Sequence, residues 1–373
     1  MESAITYYKV QDTQSFAALE KPWKALLGKA SKRSIFLSWE WMYTWWECYH
    51  QKHSDWKLSI LVFKKNEEIV AILPLYESTL EYGIFRIRRV GFLGDQIESS
   101  DYLDIITTEK YYTYFRSNIN EILHNEFSHT DMIHFTGILE DSVIHDSLMG
   151  WQNGTVLKQE FRICPYIPLP QSFDDYLKTL SSNFRYNIRR RTKKILKLND
   201  AAFNIISKPE EVSPAIEKVF DLHSVRARQK SLDTKFLKEI RHQFHQRCAV
   251  RMAQNDWIKI FLLNIEKKAI ATLYCFDYQN TLYYFQSGFD PQWDKMSPGM
   301  VIMAYAIRYA IENKMNIFDF MRGNEAYKFN WTDKFYYLYE LYKPLSFKGS
   351  LLLKSMGVKR TIANLIKSTP LIK

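Results

Sequence analysis

The chain has 373 residues, a formal net charge of +10 and a pI of about 9.1. Hydrophobic residues make up 46% of it, which excludes a mainly disordered protein and allows two domains with cores of their own. The positive charge favours an anionic partner, such as nucleotide phosphates, RNA, an anionic lipid surface or a phosphorylated precursor. A basic, soluble surface is the alternative explanation.

The cysteine pattern and the N-terminus exclude several classes of protein. Cys48, Cys164, Cys248 and Cys275 are scattered and form no C-x-x-C pair, so neither a disulfide framework nor a zinc site is predicted. The N-terminus lacks the basic and apolar regions of a signal peptide, and no apolar run reaches the ~20 residues of a membrane span. The predicted compartment is the cytoplasm.

The first half alternates predicted strands and helices. Strands are predicted at 6–10, 58–63, 69–76, 86–94, 102–107 and 131–135, and helices at 14–27, 38–49 and 111–123. In the helix at 38–49, Trp39, Met42, Trp46 and Tyr49 share one face. Such a stripe is typical of a core face, and an aromatic ligand cage is the alternative.

The second half repeats this layout. Strands are predicted at 258–265, 269–277 and 281–287, followed by a helix that starts near residue 297 and a strand at 316–321. The order hairpin, strand, loop, helix, strand therefore occurs twice, which predicts two copies of one α/β (α+β) domain. Three prolines between residues 164 and 170 place the join near 165, with domains at 1–165 and 166–373.

The second domain begins with a helix capped by Ser172, and the basic helix that follows is capped by Ser181 or Ser182. Arg185, Arg189, Lys193 and Lys197 line up at i, i+4 on one side of it. Like charges at this spacing destabilise a helix by a few tenths of a kcal/mol each, so the row favours an anionic ligand lying against it. A solvated face is the alternative.

The sequence Ser297-Pro298-Gly299 predicts a helix start directly after a strand. Ser297 is the expected N-cap and Pro298 fits the first helical position. The N-terminus of this helix would offer amide groups and a partial positive charge to a phosphate.

Two further features of the sequence bear on ligand binding. His242 and His245 have H-x-x-H spacing, which could place two imidazoles together on a helix, but no metal site is predicted. Residues 343–373 contain seven basic and no acidic residues among interspersed leucines and isoleucines. This tail is a candidate for an anionic membrane surface, and a strand and helix packed on the domain are the alternative.

Two segments resemble a known family. The first segment, 172–197, contains Ser-Phe-Asp-Asp-Tyr-Leu and Ser-Ser-Asn-Phe-Arg-Tyr-Asn-Ile-Arg-Arg. The second, 283–331, contains Gly-Phe-Asp-Pro, Ser-Pro-Gly-Met and Phe-Asp-Phe-Met-Arg-Gly-Asn-Glu-Ala-Tyr-Lys-Phe. They resemble the GNAT-type acetyltransferases grouped with the CelD/BcsL cellulose-biosynthesis proteins, and more distantly the FemABX peptidyltransferases. The resemblance implies tandem GNAT-like domains, the first degenerate, and direct acyl transfer from acyl-CoA, without a metal, to an amine or hydroxyl.

The resemblance also implies where the donor binds. The segment Lys295 to Met300 stands where GNAT proteins have a phosphate loop, with Gly299 as its one glycine. The expected cofactor-binding residues follow from this: Ser287, Gly288, Lys295, Ser297, Gly299 and Met300. An aminoacyl-tRNA donor, as in FemABX proteins, is the alternative, since RNA would also suit the basic helix.

Direct transfer to an amine needs a base, stabilisation of the oxyanion and an acid for the leaving thiolate. Glu325 is the predicted base, Tyr327 the acid and Lys328 the group that neutralises developing charge. The expected substrate-binding residues are Arg185, Arg189, Arg322 and Asn324. A structural ion pair within 322–328 is the alternative for this loop.

The predicted acceptor is a small molecule or glycan precursor, such as an amino sugar of a cell-surface polysaccharide. The rival class is a non-catalytic module that binds an anionic ligand. Nucleic acid is expected as a partner only with a tRNA donor, and the basic tail would hold the protein at the inner membrane face.

Overall fold

The computed structural model describes residues 4–31, 34–82, 85–95, 97–98, 100–150, 156–229 and 239–356. The chain divides into two compact units, which are residues 1–161 together with 337–373, and residues 162–336. Within the described ranges, no helix is both long enough and apolar enough to span a membrane.

The first unit contains eight strands and five helices in its main segment, as far as the structure describes it. The strands are β1 (Ile5–Val10), β2 (Lys57–Leu58), β3 (Ile60–Lys65), β4 (Glu68–Leu73), β5 (Leu75–Tyr82), β6 (Phe85–Phe92), β7 (Ile106–Thr107) and β8 (Met132–Leu139). The helices are α1 (Thr13–Ala18), α2 (Glu20–Lys29), α3 (Trp39–Tyr49), α4 (Tyr112–Glu126) and α5 (Val143–Met149).

The second unit follows strand β9 (Leu157–Pro168), in which the chain passes from one unit to the other. Its helices are α6 (Phe173–Thr179), α7 (Ser182–Ile195), α8 (Pro209–Gln229), α9 (Glu239–Ala253) and α10 (Pro298–Glu312). Its strands are β10 (Ala202–Ile206), β11 (Ile258–Ile265), β12 (Lys268–Tyr278), β13 (Thr281–Phe289) and β14 (Ile317–Asp319). Strand β15 (Phe335–Pro344) and a helix α11, described over 347–356, follow.

The end of the chain belongs to the first unit. The sequence assigned everything after residue 165 to the second domain, whereas the structure groups residues from 337 onward with the first unit. The physical reason is that β15 pairs antiparallel with β8, from Leu338 opposite Leu139 to Pro344 opposite Met132.

Each unit contains a parallel strand pair whose two strands are separated in sequence by a helix. In the first unit β6 and β8 are parallel, with α4 between them in the chain, and in the second β13 and β14 are parallel, with α10 between them. This arrangement is what the repeated layout in the sequence reflects, and the mixed α/β fold predicted from it is confirmed.

Some local predictions differ from the structure. The helix predicted at 14–27 is two helices that are divided at Leu19, where the Leu19 amide bonds the Phe16 carbonyl oxygen, three residues back, at 3.1 Å. The strand predicted at 102–107 is limited to Ile106–Thr107. The tryptophan-rich face of α3 lies in the core, where Trp39 and Trp46 are buried.

The sheet of the second unit has the order β10-β11-β12-β13-β14-β9, with helices on both faces. One face carries α6, α7 and α10, whose apolar residues pack with Leu273, Cys275 and Tyr284. The other face carries α8 and α9, where the His245 ring contacts Tyr274. The candidate site lies on the first of these faces.

Candidate active site

A cavity opens where two neighbouring strands part. β13 pairs with β14 only from Thr281 to Tyr283, and it then continues to Phe289 while β14 ends at Asp319. Beside this split lies a cavity of ≈180 Å³. Its lining residues come from β12, β13, α7, α10 and the segment after β14: Phe184, Thr272, Leu273, Tyr284, Ser287, Gly288, Phe289, Gly299, Met300, Met303, Tyr327, Asn330 and Trp331.

One wall of the cavity is a row of hydroxyl groups. Tyr284 Oη lies 2.6 Å from Ser287 Oγ and 3.3 Å from Tyr327 Oη. Three hydroxyls in hydrogen-bonding sequence can hold or pass a proton, since each is both a donor and an acceptor. Thr272 and Asn330 are the other polar side chains of the lining, which is otherwise apolar or glycine.

A β-bulge brings Tyr284 and Ser287 together. Side chains three positions apart in a regular strand point to opposite faces. Here Tyr284 lies opposite Cys275 and Gln286 lies opposite Tyr274, so Phe285 is an extra residue in β13. The extra residue restores Tyr284 and Ser287 to the same face, which is how bulges re-aim side chains.

The start of α10 differs in one detail from its prediction. Pro298 occupies the first turn as expected, but the Ser297 side chain makes no capping hydrogen bond and Ser297 has a left-handed backbone, with φ of 54°. Its carbonyl oxygen instead accepts hydrogen bonds from the amides of Met300 (3.1 Å) and Val301 (3.2 Å). Since proline has no N–H, the first amide of this helix belongs to Gly299, in the cavity wall.

Gly288 lets strand β13 approach helix α8. A Cβ atom on Gly288 would lie 2.4 Å from the His223 amide nitrogen and 2.6 Å from the Leu222 carbonyl carbon. The His223 ring also bonds the Ser287 carbonyl oxygen through Nδ1 at 3.1 Å. Gly288 therefore lines the cavity with its backbone and fits there because it has no side chain.

The loop after β14 is held by a buried lysine. Lys328 Nζ donates to the carbonyl oxygens of Arg322 (2.9 Å) and Met321 (3.3 Å), and it lies 3.1 Å from Glu325 Oε2. The Lys328 side chain is 4% exposed, whereas that of Glu325 is 55% exposed. The pair closes over Gly323, whose φ of 135° suits glycine.

The three predicted catalytic residues therefore occupy different places. Tyr327 lines the cavity and bonds its hydroxyl row, while Glu325 and Lys328 form the ion pair that was the alternative for this loop. Asn324, also in the loop, is exposed, and Arg322 contributes its carbonyl oxygen to the lysine.

The basic helix α7 lies beside the start of α10. Arg191 donates to the carbonyl oxygen of Lys295, in the turn Pro291–Met296 that precedes α10. Arg185 donates to the Leu177 carbonyl oxygen at 3.4 Å. Exposed Arg189 pairs with Asp174 at 3.2 Å, which takes up part of the predicted row.

A second, larger cavity shares a wall with the first. Its volume is ≈590 Å³, and both cavities are lined by Asn330 and Trp331. Its remaining lining comes from the end of β9 and the residues after it, from α6 and the α6–α7 turn, and from residues 329–334: Ile167, Pro168, Pro170, Tyr176, Thr179, Leu180, Ser181, Phe329, Thr332, Asp333 and Lys334. Burial raises the pKa of Tyr176, which stays a neutral hydroxyl and donates to the Trp331 carbonyl oxygen at 2.9 Å.

Sequence reasoning missed much of this site. Tyr284, Phe184 and Trp331 line the first cavity but were not among the predicted residues. An aromatic residue in a strand or helix is usually a core residue, so the sequence carries no signal that these three line a cavity. Among the described residues, no group of three or more His, Cys, Asp or Glu residues could hold a metal ion.

Comparison with known proteins identifies the domain that carries the site. Residues 182–329 match the family model described as the acetyltransferase (GNAT) domain. No curated protein matches the chain.

Solved structures match the chain nearly end to end. The crystal structure of FemX aligns with a TM-score of 0.59 at 9% identity, covering 93% of this chain and 98% of that one. A conserved protein of unknown function from Bacteroides thetaiotaomicron VPI-5482 aligns at 0.54 and 10%, covering 92% and 100%. The C-terminal domain of a putative lysylphosphatidylglycerol synthetase from Agrobacterium fabrum aligns at 0.52 and 8%, covering 91% and 95%.

At such low identities these structures show a shared fold, while the domain match bears on the activity. The cavity, its hydroxyl row and the start of α10 all lie within, or at the edge of, the matched segment 182–329. The chain contains a GNAT acetyltransferase domain and is an acyltransferase.

Proposed function

We propose that this protein transfers an acyl group from acyl-CoA to the amine of a small molecule or glycan precursor. The observation that carries the proposal is the cavity at the split between β13 and β14, with the first amide of α10 on one side and the hydroxyl row on another. Direct transfer requires a donor and an acceptor to meet at one polar wall.

The residues around the cavity suit an acyl-CoA. Gly299 leaves room for close approach, because a Cβ atom there would first meet the Phe289 ring at 3.5 Å. The helix N-terminus and the nearby exposed Lys295 and Lys193 favour phosphate. The apolar lining from Met300 and Met303 suits the acyl end of the donor.

The chemistry assigns a role to Tyr327. The acceptor reacts as a free amine, after its ammonium group has released one proton to solvent. Its nitrogen forms a bond to the thioester carbonyl carbon, the carbon–sulfur bond breaks, and the nitrogen loses a second proton while the thiolate gains one. Tyr327 supplies the proton to the thiolate, and the proton lost by the nitrogen enters the hydroxyl row at Ser287 and passes through Tyr284 to replace it. Glu325 serves as the base only if its carboxylate leaves Lys328 during the reaction.

The second cavity is our candidate for the acceptor. The hydroxyls of Thr179 and Ser181, the charges of Asp333 and Lys334 and the half-exposed Phe329 ring suit a sugar, which needs hydrogen bonds and an apolar face. The resemblance of segments 172–197 and 283–331 to CelD/BcsL proteins supports an amino sugar of a cell-surface polysaccharide as this acceptor.

Thermal unfolding with acyl-CoA esters tests the donor. Saturation at about 100 times the dissociation constant adds ~2.7 kcal/mol to the free energy of unfolding. Mass spectrometry of mixtures with amino sugars then identifies the product. A chain that no acyl-CoA stabilises would contradict the donor assignment.

Tyr327→Phe tests the acid. Turnover should fall about 100-fold while donor binding persists, because proton transfer by a positioned group contributes 10²–10⁴. Tyr337→Phe, at a similarly exposed tyrosine outside the cavity, is the matched control and should keep full turnover. Equal turnover in the two variants would remove Tyr327 from the mechanism.

A second candidate function uses an aminoacyl-tRNA as donor. It is favoured by the outer face of α7, where Tyr186 is 60% exposed and Arg190 lies over its ring at 5.5 Å. An exposed aromatic ring beside cations suits a single-stranded nucleic acid. Binding of aminoacyl-tRNA that weakens steeply with salt, without stabilisation by acyl-CoA, would support this candidate.

A further inference from the structure

Helix α11 presents an apolar outer face in the first unit. Phe347 is 86% exposed and Leu351 is 44% exposed. Their i, i+4 spacing places them on one side of the helix. Lys354, one turn further, and Lys348, beside Phe347, are also exposed.

The opposite face fixes the helix in place. Leu352 and Leu353 are buried in a cluster with Ile87, Met132 and Tyr342. A Cβ atom on the helical Gly349 would lie 2.0 Å from a backbone carbonyl oxygen of the first unit, so the helix is in close contact there. Phe347 and Leu351 are therefore held outward by the packing of their neighbours.

The first turn of α11 is also tied down. Ser346 Oγ donates to Asp131 Oδ1 at 2.9 Å and accepts the Gly349 amide at 3.1 Å. Lys348 donates to the carbonyl oxygen of Arg86. These contacts keep the exposed phenylalanine at a fixed point of the surface.

The charge around this face is positive. Arg86 and Arg88 are exposed and lie near α11. Two acidic residues are close to them: Asp131 pairs with Arg88, and Glu81 is opposite Arg86 in the β5–β6 pair. Residues 343–356 contain three lysines and no acidic residue. Residues 357–373, the rest of the basic tail, lie outside the described residues.

We propose that the outer face of α11 docks on an anionic lipid surface. Phe347 and Leu351 enter the interfacial layer, and the basic residues of α11 lie at the lipid phosphates. Two apolar side chains are too few for a stable protein interface, which buries about 800 Å² on each partner. A nucleic acid would use the cations but would leave Leu351 without a contact.

Sedimentation of the full chain with vesicles tests the proposal. Binding is expected with phosphatidylcholine vesicles that contain phosphatidylglycerol, and it should weaken as salt rises. Phe347→Ser should lower the partition coefficient about 10-fold, as expected for losing a buried aromatic side chain. Leu351→Ser should lower it further, and Lys348→Gln with Lys354→Gln should reduce the preference for the anionic lipid.

Met149→Ser is the matched control, because Met149 is 43% exposed in the same unit. It should bind vesicles like the unchanged chain, and urea unfolding should give similar midpoints for all these variants. No binding to anionic vesicles, or full binding by the Phe347→Ser/Leu351→Ser variant, would overturn the proposal. It would also be overturned if these substitutions abolished self-association in sedimentation velocity while leaving vesicle binding unchanged.

Discussion

Replacing Lys328 by methionine separates a structural role of the 322–328 loop from a catalytic one. The substitution keeps the length of the side chain and removes its ammonium group. In the structure this group holds two carbonyl oxygens, those of Met321 and Arg322, and pairs with Glu325. Methionine can do none of these things.

The expected cost follows from the geometry. A hydrogen bond from a charged group contributes about 1.5–3 kcal/mol, and the 2.9 Å bond to Arg322 is the better formed of the two. The ion pair adds at most about 1 kcal/mol, because the Glu325 side chain is 55% exposed. Burying methionine avoids the cost of desolvating an ammonium group, which offsets part of the lost stability. A net loss of ~2–3 kcal/mol in the free energy of unfolding is therefore expected.

Urea and thermal unfolding measure that loss. For a unit of this size each kcal/mol shifts Tm by about 2–4 °C, so Lys328→Met should lower Tm by about 4–12 °C. Glu325→Gln removes only the exposed ion pair and should cost no more than about 1 kcal/mol. A double-mutant cycle of the two should give a coupling of similar small size.

Two results would refute this reasoning. If Lys328→Met leaves the free energy of unfolding unchanged, the lysine does not hold the loop. If Glu325→Gln keeps full stability but lowers turnover about 100-fold, the carboxylate is a general base, as the sequence predicted.

Three further predictions address other parts of the chain. Gly288→Ala should destabilise the protein by about 1–3 kcal/mol in urea unfolding, because its Cβ would meet the α8 backbone at 2.4 Å, while Gly299→Ala should be tolerated. Changing both Arg189 and Lys193 to Gln should weaken donor binding and reduce its dependence on salt concentration. If donor affinity and its salt dependence are unchanged, this side of α7 is only a solvated face. Burial lowers the pKa of Lys343 to about 8, so the unfolded chain binds more protons above that pH. The free energy of unfolding should therefore rise between pH 8 and 9.5, and this rise should be absent in Lys343→Met.

The elements of the fold were readable because their periodicities are strong. The alternation of β11 and β12 and the apolar repeat of α10 predict a hairpin followed by a helix, and both lie within one or two residues of their predicted positions. The domain division was less accessible. Nothing local in Leu338 or Leu341 shows that β15 pairs with a strand some 200 residues earlier, because pairing partners depend on tertiary packing.

The rim of the candidate site was also accessible from sequence. A glycine near a predicted strand end or helix start usually stands there because the backbone needs a special conformation or a close approach. Gly288 and Gly299 are at such positions, and both line the cavity. Their reasons differ, however. Gly288 is required by the approach of α8, whereas Gly299 has room for a Cβ atom, and that distinction needs coordinates.

The hydroxyl row shows why the interior of the site was not predictable. A regular β13 would send Tyr284 and Ser287 to opposite faces, and no residue type marks Phe285 as the bulged position. One extra residue in the strand therefore decides whether these hydroxyls meet Tyr327. The loop that carries Tyr327 is in turn fixed by Lys328, which is buried one residue further on. Lys328, which the sequence predicts as a catalytic group, thus positions Tyr327 at the cavity. The stability of the loop and the geometry of the proposed acid therefore depend on the same ammonium group.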